Sequence, residues 1–593
     1  MPNKCNLIAV VLIIVLLCSC TNMSSSLNFD EIKVELKAAS LLPKNHQYEK
    51  IVSISNSSPL NSFRIVKYLI KNKILPNATI KKFAQAKRIS LKKVLESLDM
   101  TGALITPLYH SASVTVHSED SNTDYFMRYK PQGSLKWLTS TLDYDLSSDL
   151  FTGSIFNLTE NMSYEVQISK DNSFKNTSSY KFTTKTTPDF LASNIYNLSD
   201  IYDDGVLDLV KLNLKGSENN WIKIIGDDNT VISTSDAFES AINIGSNSYI
   251  YFENITISGG GRSAVSSNQA HHIWFNGCDI SQWGRITREV RDGKSYAQKG
   301  DNRPINYDSA FSLIKTGVVT IENCQVHSPR TKANSWKRGH PHGANAVLVD
   351  ASHSNQDYQG QIVIRNNRFY GTDQHRFNDV IESRNNGSSY GGFVRDSAIY
   401  NNYLAFANDD IIEIDGSQSN VLIYNNEIEQ GYCGISAIPN RQGPSYIFNN
   451  YIHNLGDEDN RSWAAIKLGG LVSRPAGKVN IFNNFIKTNS NGIASAKYNG
   501  DSTFWVDAWS NIIIASNYKK NGYGYGVLEL KPFKDNKYNN NFLYNIVTKN
   551  SLVRVSDNKT FYQNNYGYLP KDLTEFNKEF TFAEAMSFIT LLH

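Results

Sequence analysis

Short apolar runs alternate with polar turns along residues 190–570, and the pattern recurs at a nearly constant spacing. Ile257 and Ile280 are 23 residues apart, and Leu404 and Ile428 are 24 residues apart. Each run is too short for a helix and alternates inward and outward positions as a strand does. Repeats of this length predict a solenoid in which each coil places its aliphatic residue above the last.

An Asn shortly before the aliphatic residue marks the turn of most units, as Asn426 does before Ile428. Stacked turns of this kind predict an asparagine ladder. Over residues 190–570 the chain resembles the right-handed parallel β-helix (pectate-lyase-like) superfamily of carbohydrate-active enzymes. The resemblance implies a right-handed β-helix that acts on a polysaccharide, and helical repeats are excluded because the units lack helical periodicity. The same pattern recurs at Asn323, Asn366, Asn401, Asn483 and Asn541.

The residues before the solenoid predict two smaller units. Residues 101–187 contain short alternating strands, and the segment from Leu158 to Tyr164 resembles the tyrosine-corner strand of a fibronectin type III sandwich, with Trp137 as its buried aromatic residue. Residues 21–100 show helical spacing and many lysines, which predicts a helical spacer with a solvated basic face. We expect residues 571–593 to form a helical tail, so that the chain is all-β apart from its two ends.

The first 20 residues are a targeting segment. Lys4 precedes an apolar stretch, and Leu17-Cys18-Ser19-Cys20 resembles the lipobox of bacterial lipoproteins, which implies a lipid anchor on Cys20. Thr21 stands where an inner-membrane retention signal would have Asp. We therefore expect an outer-membrane lipoprotein that faces the periplasm or the cell surface.

Charge and cysteine content narrow the function classes. The net charge of +3 is too small to predict binding to nucleic acid, and charged residues make up only 19% of the 593 residues. Three cysteines remain after the signal segment, so a complete disulfide framework is not expected. Cys278 and Cys324 align on successive coils, where stacked free thiols are favoured over a bridge.

An inserted loop carries most of the candidate binding residues. Val326 follows Ile280 by 46 residues, and long loops on one side of a solenoid usually build its binding face. Loop 327–344 is basic and aromatic, which suits an anionic sugar chain that carries carboxylate or sulfate groups; a merely solvated basic loop is the alternative. The predicted substrate-binding residues are Trp336, Arg338, His340, His342, Arg384 and Lys467.

The candidate catalytic residues follow this loop. Strand alternation turns Ile412 and Ile414 inward, so Glu413 and Asp415 should project outward about 6.6 Å apart, near the separation that glycosidases need. On the preceding coil Glu382 should lie beside Glu413 and shift its pKa. We expect these acids to share one exposed outer face with Arg384 and Lys467, walled by loop 327–344.

Three functions fit these residues. The leading hypothesis is a monomeric glycoside hydrolase without a cofactor, acting on an anionic polysaccharide through Glu413 and Asp415, with Glu382 tuning them. The second is a polysaccharide lyase, in which Asp409 and Asp410 help to bind Ca²⁺ and Lys467, Arg384 or His342 removes the C5 proton. The third is a noncatalytic glycan-binding surface protein, whose charged ladder would consist of mutually satisfied side chains.

Overall fold

A computed structural model describes residues 29–591 of the chain with several internal gaps. The targeting segment and Cys20 lie outside these residues. Within the described part, no helix is both long and apolar enough to cross a membrane. The gaps are residues 59–61, 88, 90–93, 95–101, 117–123, 146–147, 471–476, 516–523, 532, 546–552, 556–561 and 564–578.

Four helices precede the β structure and share one apolar core. Asp149 of the next unit binds two of their cations: its carboxyl oxygens lie 3.2 Å from Arg64 Nε and 3.0 Å from Lys67 Nζ. These buried ion pairs fix the helices to the sandwich. The helices are α1 (Phe29–Ser40), α2 (Lys44–Ser57), α3 (Ser62–Lys71) and α4 (Asn77–Ala86).

Two four-stranded antiparallel sheets form a sandwich between the helices and the solenoid. Tyr164 Oη accepts a hydrogen bond from Thr159 N at 2.9 Å, as in a tyrosine corner. The sequence predicted that Trp137 fills the core of the sandwich, but it lies half-buried beneath Arg128 and Lys130. The fibronectin type III assignment stays a prediction. One sheet contains Ala103–Pro107, Ser111–Val116, Leu150–Phe156 and Asp143–Asp145; the other contains Leu138–Thr141, Phe126–Pro131, Ser163–Ser169 and Thr177–Thr183.

The main body is a right-handed parallel β-helix with three faces, here named sheets A, B and C. Sheet A carries the candidate site. Its twelve strands pair in parallel and in chain order, because each coil returns the chain one strand spacing further along the axis. They are Leu207–Asp208, Ser240–Gly245, Ser263–Asn268, Asp308–Ile314, Ala344–Val349, Ile381–Ser383, Asp410–Glu413, Cys433–Ala437, Ala464–Leu468, Asn491–Ser495, Val527–Glu529 and Val553–Val555.

Sheets B and C run into each other in the first coils, where Ile250–Ser258 and His271–Ser281 contribute to both. Sheet B also contains Ile195–Asn197, Ile222–Ile225, Gly317–Glu322, Ile362–Arg365, Val394–Tyr400, Gly416–Tyr424, Ser445–Phe448, Val479–Phe482, Val506–Trp509, Lys537–Asn539 and Tyr562–Gln563. Sheet C also contains Val231–Ser233, Gln325–His327, Arg368–Tyr370, Tyr403–Ala405, Glu427–Glu429, Tyr451–His453, Phe485–Thr488, Ile512–Ala515 and Phe542–Asn545. The remaining elements are a short strand, Asn440–Gln442, the hairpin Glu289–Arg291 and Lys294–Tyr296, single helical turns at Ala192–Asn194, Trp336–Arg338 and Gln356–Tyr358, and helices α5 (Leu198–Ile201) and α6 (Phe582–Leu591).

The aliphatic register predicted from the spacing is confirmed. Ile257 pairs with Ile280, and Ile280 pairs with Val326 despite the 46 residues between them. Further along the solenoid, Leu404 pairs with Ile428 of the next coil. All of these side chains are buried in one continuous core, so inserted residues leave the solenoid as loops and do not disturb its register.

The predicted asparagine ladder is present, but in most coils the Asn that forms it is the residue after the predicted one. Asn366, Asn401 and Asn483 take the left-handed conformation, with φ of 55–57°, that lets the strand turn. The residue after each of them makes the ladder: Asn402 Nδ2 donates to Asn426 Oδ1 at 2.9 Å. Asn541 is a ladder member as predicted, and the ladder comprises Asn367, Asn402, Asn426, Asn450, Asn484, Asn511 and Asn541.

Cys278 and Cys324 form a disulfide bond, so the expectation of two free thiols is wrong. Their predicted alignment on successive coils is correct, and their Cα atoms lie 4.4 Å apart. That distance falls at the short end of the range that a disulfide spans, so stacking on adjacent coils was itself enough to allow the bridge. Cys433 is buried and free.

The sandwich packs against sheet B and therefore away from sheet A. Tyr109 Oη lies 2.9 Å from Thr320 Oγ1, and Ser113 Oγ donates to Asp396 Oδ1 at 2.6 Å. Helix α6 covers apolar side chains on the outside of sheet C. Since both attachments occupy other faces, the outer face of sheet A is left to its own loops.

Candidate functional site

Strand register brings the predicted site residues onto one outer ladder of sheet A. Ile381 pairs with Ile412, which places Glu382 beside Glu413 on adjacent coils. Glu413 pairs with Ser436, and Ser436 pairs with Lys467. The order along the solenoid axis is therefore acid, acid, hydroxyl and amine, with neighbours about 4.8 Å apart.

Six carboxyl groups crowd this face, and we call them the acidic row. Strand alternation points Glu413 and Asp415 out of the apolar core, as the sequence predicted, but the six acids are not exposed. Each residue is at most 8% accessible. The members of the acidic row are Asp379, Glu382, Asp409, Asp410, Glu413 and Asp415.

Two loops cover the acidic row from opposite sides. From one side, Trp336 of loop 327–344 donates its indole N–H to Asp409 Oδ1 at 2.9 Å, and its ring stacks on Tyr432 with centroids 5.4 Å apart. From the other side, Asn386 Nδ2 donates to Glu413 Oε1 at 3.2 Å. These remote segments explain the burial, because strand alternation determines only which way a side chain leaves the core.

Polar neighbours also hold the acids in place. Glu382 Oε2 accepts hydrogen bonds from Asn345 Nδ2 at 2.5 Å and Asn378 Nδ2 at 3.4 Å. Asp415 Oδ1 accepts bonds from Ser436 Oγ and from the backbone N–H of Ile438, both at 2.7 Å. Each carboxyl group therefore has a fixed orientation, as a reacting group requires.

Asp379 is a site residue that the sequence-based prediction missed. Asp379 Oδ1 accepts a hydrogen bond from Asp410 N at 2.8 Å, and one carboxyl oxygen from each of Asp379, Asp409 and Asp410 lies within 4.8 Å of the other two. Lys467 Nζ lies 2.5 Å from Asp410 Oδ2. A signal was present, because Asn378-Asp379 stands three residues before Glu382 much as Asp409-Asp410 stands before Glu413.

Burial and crowding separate the protonation states of the acidic row. Burial raises the pKa of Glu382 to about 8 and that of Asp415 to about 7. Burial, with the charge of Asp410 next, raises the pKa of Asp409 to about 6. Burial and the neighbouring Asp415 hold the pKa of Glu413 well above its usual range. The acidic row thus holds protons near neutral pH, which free carboxyl groups do not.

Several cations of loop 327–344 turn away from the acidic row. The Arg330 guanidinium donates to backbone carbonyl groups, including that of Thr234 at 3.1 Å. His327 Nε2 lies 3.0 Å from Asp279 Oδ1 on sheet C. Although both belong to the basic loop, neither of these two cations therefore faces the acidic row.

The remaining predicted binding residues lie around the acidic row. His340 is exposed, with Nε2 3.9 Å from Asp409 Oδ2, and His342 Nδ1 donates to the His340 carbonyl at 2.7 Å. Arg338 is exposed at the end of a single helical turn. Arg384 is half-buried, and its guanidinium lies 5.3 Å from the centre of the Tyr307 ring.

Comparisons with known proteins do not identify a family for this chain. No protein-family model and no curated protein matches the chain. Among solved structures, the catalytic unit of a thermostable GH87 alpha-1,3-glucanase from Streptomyces thermodiastaticus strain HF3-3 is similar at 10% identity and a TM-score of 0.34, covering 79% of this chain and 88% of that one. The catalytic domain of a GH87 alpha-1,3-glucanase in complex with nigerose is similar at 10% identity and a TM-score of 0.27, covering 78% and 92%. The site's own chemistry must therefore carry any functional conclusion.

Proposed function

We propose that this protein is a glycoside hydrolase that cleaves a polysaccharide at the acidic row. Hydrolysis of a glycosidic bond needs one carboxyl group that keeps its proton and a second that is ionised. The observation that carries the proposal is the buried pair Glu413 and Asp415, with Glu382 beside Glu413 on the adjacent coil. Crowding of this kind separates the pKa values of neighbouring acids.

Each acid has a role that follows from its surroundings. Glu413 is the general acid, because burial and the neighbouring carboxyl groups keep it protonated. Asp415 is the base or nucleophile, because two hydrogen-bond donors stabilise its charged form and its pKa is about 7. Glu382 touches neither reacting atom in this scheme and acts by raising the pKa of Glu413. Glu413 gives its proton to the glycosidic oxygen while Asp415 activates water or attacks the sugar carbon.

The test is a panel of polysaccharides assayed for new reducing ends. We expect Glu413→Gln and Asp415→Asn each to lower kcat by about a hundred- to ten-thousand-fold. Glu427→Gln is the control, because Glu427 lies on the same coil as Glu413 but points outward on sheet C, away from the acidic row. Circular dichroism and the melting temperature establish that each variant folds. Full activity in both site variants would remove this pair from the mechanism.

A polysaccharide lyase is the second candidate, and the oxygen cluster of Asp379, Asp409 and Asp410 favours it. Carboxylate oxygens are the ligands that Ca²⁺ prefers, and Asp410 Oδ1 is buried without a hydrogen-bond partner among the described residues. The three residues therefore fit the ion, which would neutralise a uronate. Lys467, Arg384 or His342 would then take the C5 proton.

The products distinguish the candidates. A lyase releases unsaturated products that absorb ultraviolet light and loses activity with a chelator. A hydrolase releases reducing ends without that absorbance. A noncatalytic glycan-binding protein, the third candidate, does neither.

We also propose that the chain is exported and anchored to the outer membrane through Cys20. The bond between Cys278 and Cys324 supports export, because disulfides persist mainly in oxidising compartments. Labelled palmitate should be incorporated into the parent chain and not into Cys20→Ser, which should leave the membrane fraction. Labelling of both chains would contradict the anchor.

A further inference from the structure

The lysines of loop 327–344 are engaged by carboxyl groups of this chain. Lys332 forms an ion pair with Glu458, and Lys337 Nζ lies 3.4 Å from Asp459 Oδ1. Asp459 also accepts a hydrogen bond from Ser335 Oγ at 2.5 Å. These contacts hold the loop against a second inserted loop further along the solenoid, so both ammonium groups already have a counter-charge within the chain.

The acidic row itself has few cations to balance it. Lys467 is bound to Asp410, and His340 is the nearest cation to Asp409. Arg384 stands over Tyr307 and is half-buried. The cations that these contacts bring to the six carboxyl groups are therefore Lys467, which is already neutralised by its partner, the half-buried Arg384, and His340 when it is protonated.

Burial strengthens the electrostatic interaction between the acidic row and any charged group of a ligand. Water and salt screen charges at an exposed surface, but they screen buried groups much less. A sulfate or carboxylate on the substrate would be buried among carboxyl groups, which offer it no positive counter-charge in either protonation state. A sugar hydroxyl can instead donate a hydrogen bond to a carboxylate or accept one from a protonated acid.

We propose that the sugar unit held at the acidic row is uncharged, so that the substrate is a neutral polysaccharide. The inference rests on the proposed hydrolase function and reverses the sequence-based expectation of an anionic chain, which depended on free cations in loop 327–344. Trp336 on one side and the exposed Tyr307 on the other offer aromatic surfaces to the apolar faces of neutral pyranose rings.

An anionic sugar could still be recognised at this site through Arg384, whose guanidinium lies over the ring of Tyr307. Arg368 provides a matched control, because its guanidinium also lies over a tyrosine ring, that of Tyr403 at 4.5 Å, on sheet C and away from the acidic row. Arg384→Gln and Arg368→Gln therefore remove the same charge in similar surroundings.

The experiment compares an acidic polysaccharide with its own neutral form, prepared by carboxyl reduction or desulfation. The full chain is assayed for reducing ends with a chelator present, and again with added Ca²⁺. We expect kcat/KM to be at least about tenfold higher on the neutral form, a difference of about 1.4 kcal/mol. Arg384→Gln should change the ratio between the two forms no more than Arg368→Gln does.

Several results would overturn the inference. One is a higher kcat/KM on the charged form, either with the chelator or with added Ca²⁺. Another is a fall in kcat/KM in Arg384→Gln that occurs on the charged form alone. Preferred cleavage of an amine-bearing polymer would do the same. If no polymer is cleaved, the hydrolase proposal fails, and binding measured through tryptophan fluorescence decides the inference separately. Binding of neutral oligosaccharides that is lost in Trp336→Ala supports it, whereas binding of charged ones alone, or of neither, overturns it.

Discussion

Lys467 Nζ lies 2.5 Å from Asp410 Oδ2, although the two residues belong to coils separated by an intervening coil. The lysine side chain crosses the small residues of that coil, Ser436 among them, to reach the carboxylate. Burial by itself lowers the pKa of Lys467, but the combined attraction of Asp410 and other neighbouring acidic groups outweighs burial and holds this pKa well above its usual range. The pair therefore gives Asp410 a counter-charge within a row of acids whose pKa values are otherwise raised by burial.

The first prediction concerns this ion pair. Lys467→Met leaves Asp410 buried without its counter-charge, which should lower the free energy of unfolding by about 3–5 kcal/mol. The double variant Lys467→Met, Asp410→Asn should recover most of that loss, because no charge is then left unpaired. Denaturant unfolding of the parent, both single variants and the double variant measures the coupling. If the losses of unfolding free energy in the two single variants simply add up in the double variant, the two residues are not coupled and the prediction is wrong.

The second prediction concerns pH and Glu382. The pKa of this residue is about 8 in the folded chain against 4.5 for the free group. Between these values the folded chain holds a proton that the unfolded chain releases, so the contribution of Glu382 to stability falls as pH rises. Glu382→Gln keeps an oxygen for Asn345 and Asn378 but cannot ionise. Relative to the parent, this variant should therefore become more stable as pH rises from 5 to 8.

Melting temperatures of both proteins across that range provide the measurement. The comparison cancels the contributions of other titrating groups, such as the buried histidines. A difference between the two proteins that stays constant with pH would show that Glu382 has no raised pKa.

The third prediction concerns Trp336. Replacing it by Ala removes both the hydrogen bond to Asp409 and the ring surface, whereas Phe keeps a ring that can stack on Tyr432. Loss of one aromatic contact worth about 1 kcal/mol should raise KM about fivefold in Trp336→Ala, with a smaller rise in Trp336→Phe. Equal KM values in all three proteins would exclude a sugar at this ring.

The sequence predicts the coils well because each coil must bury an aliphatic residue at the same point of its circuit. Ile280 and Val326 therefore align whatever loop lies between them. The same alternation placed Glu382 and Glu413 on one outer ladder. What the spacing cannot supply is the cover over that ladder.

The cover comes from segments that periodicity does not connect. Trp336 is 73 residues from Asp409, and Ser335 is 124 residues from Asp459. For the same reason the basic loop was interpreted as an anion-binding surface, although its lysines pair within the chain. The disulfide was missed for a different reason, since alignment on adjacent coils fits free thiols and a bridge equally well.

The asparagine ladder was misplaced by one residue because both members of each Asn-Asn pair suit a turn. The first, such as Asn425 with a φ of 53°, takes the left-handed conformation that Asn tolerates. The second is fully buried and makes the hydrogen bonds. Residue type alone does not separate these roles, but a variant at each position does.

The last prediction therefore sets Asn426→Ala against Asn425→Gly. Asn426 Nδ2 donates to Ile399 O and to Asn450 Oδ1, both at 3.0 Å, and its Oδ1 accepts bonds from Asn402. Alanine leaves these buried partners unsatisfied, which should cost about 3 kcal/mol or more, at about 1–3 kcal/mol for each group. Asn425→Gly keeps the left-handed turn accessible and should cost less than about 1 kcal/mol. Denaturant unfolding of the two variants measures the difference, and equal losses would mean that the turn conformation, and not the buried ladder, holds the coils in register.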